Sequence, residues 1–196
     1  MGLPDLQNDP WTRARTSNGF AADELISVLQ KSIRRGMVEN AGLVAYEFFA
    51  TGPEFEDYVW RRLEIISVED VGFGRIEAPI LIHTLDDFRR RAAQGSPDRL
   101  IYLIHAVRVL ALSPKDRGAD EMQNWLRRAV DSGAARPEVF DDAIDMHTKR
   151  GQEMGRDFLH WYTNGARVEN ELPGRDQTYR VRFIEMLQRE AEATED

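Results

Sequence analysis

The stretch from Asp145 to Tyr162 is the densest run of chemically useful side chains in the sequence. His147, Lys149, Arg150 and Arg156 offer an imidazole and three cations that can hold a phosphate, and Gly151 and Gly155 allow close backbone approach. The same stretch carries Asp145, Glu153 and Asp157, which balance the cations and point instead to a solvated, salt-bridged helix. A third reading makes Asp145, His147 and His160 the acid–base groups of an enzyme, which requires a concave pocket that gathers them. His160-Trp161-Tyr162 can stack on a nucleobase or fasten a terminal helix, and fastening is the commoner use of such a cluster.

Elsewhere the sequence excludes more chemistry than it offers. No Gly-Lys dipeptide occurs, so the phosphate loop of nucleotide hydrolases is absent, and Ile65 to Asp70 only imitates their acid-ended strand. There is no cysteine, which removes thiol nucleophiles and thiolate metal sites. One carboxylate-x-x-histidine turn, Asp157 to His160, falls short of the repeated turns a di-metal bundle needs. No cofactor and no metal are expected. Arginine clusters at 34–35, 61–62, 89–91 and 127–128 fit helix ends, where cations complement the dipole, and would form a nucleic-acid patch only if they converged.

The elements that must position these groups are helices. The chain has 196 residues, a formal charge of −8 and 31 % charged residues, values that suit amphipathic helices and disfavour a protein that coats nucleic acid non-specifically. Residues 1–20 lack apolar periodicity and read as a flexible arm with Trp11 as its anchor; 21–192 read as one helical domain and 193–196 as an acidic tail. Helices are expected from about Ala22, Val38, Pro53, Pro79, Pro97 and Ala119, with Ser96 capping the fifth and Met122, Leu126 and Ala129 buried by the sixth. The fifth, Leu100 to Leu112, is apolar nearly all round and reads as the central element, with His83 and His105 as core or groove histidines. Short helices are expected at Pro137–His147 and Lys149–Tyr162, and an amphipathic one at Asp176–Glu192. The fold class is all-α, a multi-helix bundle. With no apolar leader and no span of bilayer length, the expectation is a cytoplasmic protein without a membrane partner.

Five short segments then gain meaning from their order: Lys31 to Gly36, Trp60-Arg61-Arg62-Leu63, Glu69-Asp70-Val71-Gly72, Gly95-Ser96-Pro97, and Leu110 to Lys115. Together they resemble the C-terminal helical region of the replication-associated recombination protein A / Werner-helicase-interacting AAA+ ATPases. Agreement is good from Ala22 to Ala129 and weaker to about Gly174. The resemblance implies a clamp-loader-type helical oligomerisation domain that assembles tetramers in machines acting at stalled replication forks. Lys31, Arg61, Arg62, Glu69, Asp70, Gly72, Pro114 and Lys115 match family positions, and their simplest role is structural. The ATPase module is missing from the sequence, so hydrolysis does not carry over. The leading expectation is a non-enzymatic module that self-associates, works beside a separate AAA+ ATPase and serves DNA replication and recombination repair. A direct binder of DNA junctions through arginines, and an enzyme centred on His147, are the alternatives.

Overall fold

A computed structural model describes residues 8–195; the first seven residues of the expected arm, and Asp196 of the expected tail, lie outside it. Among the described residues there is no strand, and one isolated bridge joins Arg15 to Ala21. The fold is all-α. By its internal contacts the chain forms two compact units, Met1–Ala134 and Ala135–Asp196.

The first unit holds six helices: α1 (Ala22–Arg34), α2 (Val38–Thr51), α3 (Pro53–Ile66), α4 (Ala78–Arg91), α5 (Pro97–Leu112) and α6 (Gly118–Asp131). Their limits follow local chemistry. α1 ends where Gly36 takes a positive φ of 70°, so that Met37 N–H donates to Ser32 O at 2.8 Å and satisfies an orphan carbonyl. Pro53 and Pro97 open α3 and α5, where a missing N–H matters least. Ser96 precedes α5, but its hydroxyl is buried without a partner, so the expected side-chain cap does not form. The arm does not stand free of this unit at its tryptophan: Trp11 stacks on Tyr58 with ring centroids 3.9 Å apart and meets Phe55 edge-on.

α5 lies against α1, α2, α3 and α4, as a central helix should. Leu103, Ala106, Val107 and Leu110 are fully buried with Leu29 and Ile33 of α1, Phe48 of α2 and Trp60 and Leu63 of α3. It is not buried all round, however. Ile101 and Leu112 face water, and His105 is exposed, as is His83 on α4. Apolar residues stand on every side of the helix in sequence, but an outer face still remains once four neighbouring helices have covered the rest.

Charge also enters this core. Glu56 is fully buried and accepts from Arg99 Nη2 at 2.9 Å and from Arg99 Nε at 3.1 Å. Arg89, 2 % exposed, binds Asp57 and Asp86 at 2.6 Å each, and Arg99 Nη1 donates to Arg89 O at 2.8 Å, closing the end of α4. Such a network fixes which helix ends meet, because every buried charge is left costly if its partner moves.

The second unit is built from short pieces: a 3-10 turn at Asp141–Ala143, α7 (Lys149–Glu153), α8 (Phe158–His160) widened into a π turn through Gly165, and α9 (Thr178–Glu195). The helix expected over Pro137–His147 is thus reduced to a three-residue turn. Phe183 of α9 packs against Tyr162 at 4.9 Å and Phe158 at 5.7 Å, so the aromatic cluster does fasten the last helix to its own unit.

Candidate interaction surface

The motif segment Glu69 to Gly72 and the chain that runs out of the motif segment Leu110 to Lys115 into Gly118, about forty residues further on, meet in the first unit. Past Ile66, α3 widens into a π turn, Ser67–Val71, with Ser67 Oγ donating back to Glu64 O at 2.6 Å. Gly72 then turns the chain with φ 49° and ψ −130°, a conformation that a side chain would strain. A Cβ on Gly72 would sit 2.4 Å from Asp116 O, and one on Gly74 2.3 Å from Pro114 O. Only glycine lets the two backbones come this close. Asp116 N–H donates to the carbonyls of Asp70 and Val71 at 3.1 Å, and its carboxylate accepts from Phe73 N–H at 3.1 Å and Gly118 N–H at 3.0 Å.

Asp70 is the centre of the junction. It is fully buried, with Arg34 Nε and Gln30 Nε2 of α1 donating to it, the latter at 3.0 Å, and Arg117 Nε 3.5 Å away. The bond to Asp70 outweighs burial and raises the Arg34 pKa, so this cation stays charged at any working pH. Glu69 adds a longer contact to Arg34 at 3.3 Å. Lys115 Nζ donates to Ala111 O at 3.0 Å and to Ser113 O, closing the end of α5; burial lowers its pKa, with Asp70 opposing. Of the other matched positions, Lys31 reaches Ser27 of its own helix, Arg61 is exposed, and Arg62 acts on Tyr58, whose hydroxyl pKa is raised by burial despite that cation.

The junction holds up an apolar surface. Val68, Phe73, Ile76 and Pro79 line one side of a cavity of about 460 Å³, and Ala119 and Met122 of α6 line the other. Phe73 is 85 % exposed and Ile76 67 %. Along α6, Met122, Trp125, Leu126 and Val130 are exposed and Ala129 alone is buried. The expectation that Met122 and Leu126 enter the core is therefore corrected. Their helical spacing is real, but the face they form is left uncovered.

The residues read as a phosphate site are placed differently. Arg156 binds both carboxylate oxygens of Asp141 at 2.7 Å, and it donates to the carbonyls of Asp141 and Ile144. Lys149 lies 3.6 Å from Glu153, and Asp145 accepts from His147 N–H at 2.9 Å with Nδ1 3.2 Å away. Thus three of the four groups have protein partners, and Arg150 is exposed. The His160 ring is turned inward, its Nδ1 buried without a partner. Gly151 is needed for packing, since a Cβ there would fall 1.8 Å from Asp145 O. The arginine clusters are likewise divided: Arg34 and Arg89 are engaged as described, while Arg90 and Arg91 pair with Asp86 and Asp87 one turn back.

A family model described as MgsA AAA+ ATPase C terminal matches residues 43–195. The chain belongs to this family. The MgsA C-terminal match takes in both segments of the junction and the whole described second unit, while α1, which supplies Arg34 and Gln30, lies before it. The resemblance read from the five ordered segments, to the C-terminal helical region of an AAA+ ATPase, therefore holds. No curated protein matches the chain. Among the described residues no helix is long and apolar enough to cross a membrane.

Proposed function

We propose that the chain is a non-enzymatic assembly module that self-associates through the surface around Phe73 and the outer face of α6. The supporting observation is the size and rigidity of that surface. Val68, Phe73, Ile76, Ile80 and Met122 are each at least half exposed, and aromatic side chains alone carry about 150–250 Å² apiece, so the patch reaches roughly 600 Å². That is at the upper limit for a monomer surface and close to the ~800 Å² per partner of a stable interface. A second copy is the occupant best suited to it, because a projecting phenyl ring and an apolar cavity lie side by side. Two such surfaces related by a two-fold axis place each Phe73 in the other's cavity.

The AAA+ family membership supports work beside an ATPase module, and the motif resemblance supports a tetramer serving DNA replication and recombination repair. Size-exclusion chromatography with light scattering tests the reading. At tens of micromolar the chain should run as an oligomer, and Phe73→Glu should run as a monomer with unchanged helicity. A strict monomer for the unaltered chain removes the proposal.

A further inference from the structure

A second concavity of the first unit has the opposite character. It is an open bowl of about 500 Å³, on which the face of α5 that four helices leave uncovered meets the turn Gly72–Arg75. His105, Arg108, Val109 and Leu112 recur along α5 at positions i, i+3, i+4 and i+7, so they share one face. Arg75 faces them from the turn, held there because Gly74 packs directly on the Pro114 backbone. No carboxylate lines the bowl. Among the described residues the side chains of Arg75, His105 and Arg108 have neither ion pair nor hydrogen bond, and all three are exposed.

In a chain of net charge −8 the bowl thus gathers three basic side chains with no acid among them. Arg34, Arg89, Arg90, Arg91, Arg117, Arg156 and Arg175 each bind a carboxylate. The negative end of α5, which would repel an anion at the bowl, is offset by Lys115, whose ammonium closes the last carbonyls. The hydroxyl of Ser113 on the rim donates to Val109 O at 2.7 Å and leaves the arginines as the donors.

We infer that this bowl is a phosphate-binding site. Two guanidinium groups on separate elements can each present paired N–H donors to one phosphate, and the imidazole adds a third donor from the helix face. The phosphate comes either from a nucleic-acid backbone or from a small phosphorylated ligand; the site's chemistry is the same for both. It lies within a single copy and does not depend on self-association.

The test uses the full chain at low salt, titrated with inorganic pyrophosphate, a twelve-nucleotide oligothymidylate and poly-glutamate, and followed by calorimetry and by amide chemical shifts. Pyrophosphate or the oligonucleotide should bind, with shifts centred on Gly74, Arg75, Arg108 and Val109. The double variant Arg75→Ala/Arg108→Ala should weaken binding at least about tenfold, as loss of charge-assisted bonds to phosphate requires. Because both side chains are exposed, its melting temperature should be unchanged, and Arg127→Ala/Arg128→Ala should bind normally. Oligonucleotide binding that weakens steeply with salt, and less steeply by about one unit of slope per arginine removed, assigns a nucleic-acid source. Pyrophosphate binding without oligonucleotide binding assigns a small ligand. The inference is overturned if neither phosphate probe binds, if the double variant binds as well as the original, or if poly-glutamate binds equally tightly.

Discussion

Asp70→Asn removes one negative charge from the centre of the junction while keeping the shape of the side chain. Asp70 is fully buried and serves two cations, Arg34 directly and Arg117 at 3.5 Å. Breaking a buried ion pair from one side costs about 3–5 kcal/mol, because the remaining charge keeps its desolvation penalty. Here the Arg34 and Arg117 side chains are 27 % and 33 % exposed, so water and Glu69 relieve part of that penalty. The expected loss is therefore about 2–3 kcal/mol, below the fully buried case. At roughly 2–4 °C per kcal/mol for a chain of this length, the melting temperature of the first unit should fall by about 5–10 °C. Differential scanning calorimetry, with hydrogen exchange to assign the transition to residues 22–131, reads this directly. Adding Arg34→Gln should return part of the loss, since it removes the cation that the neutral amide at position 70 cannot answer. A single variant within about 1 °C of the original would refute the placing of Asp70 as the charge that binds α1 to the turn.

Other predictions follow from the same geometry. Gly74→Ala puts a Cβ 2.3 Å from Pro114 O, a contact no rotamer relieves; the turn should lift from the end of α5, with lower stability and faster exchange at Asp116 N–H. The second unit should be sensitive to acid. Asp141 (from Arg156), Asp145 (from His147 N–H), Glu171 (from Arg175) and Asp176 (from Thr178) all have carboxylate pKa values held below the ordinary range by hydrogen bonds. A depressed folded pKa gives stability that is present above the unfolded value of about 4 and is lost as pH falls through the folded one. Protection factors over residues 141–176, with the intrinsic slowing of amide exchange in acid divided out, should therefore fall on acidification below about pH 4, and constant protection down to about pH 2 would contradict this.

How far these features are legible in the sequence depends on whether their cause is local. The positive-φ stop at Gly36 and the proline starts of α3 and α5 act over a few residues, and the sequence pattern locates them. The 137–147 segment misleads because its scattered apolar residues imitate helical spacing while its packing against the 161–165 turn is tertiary. Amphipathic spacing identifies the apolar face of α6 but not its cover, since periodicity reports that a face needs burial and not what buries it. The ionic core of Glu56, Arg89 and Arg99 is illegible, because its partners lie up to 43 residues apart and look like any exposed helix charges. The gathering of Arg75 with His105 and Arg108 depends on one backbone approach at Gly74. The interruption of an apolar run at 105 and 108 is its one trace in the sequence.

Self-association through the Phe73 surface is most directly tested by site-specific photocrosslinking. A benzophenone side chain placed at position 73 should form covalent dimers whose crosslinks map to residues 68–79 and 118–126 of the second copy. Monomeric product alone, or intermolecular crosslinks confined to other segments, would contradict assembly through this surface.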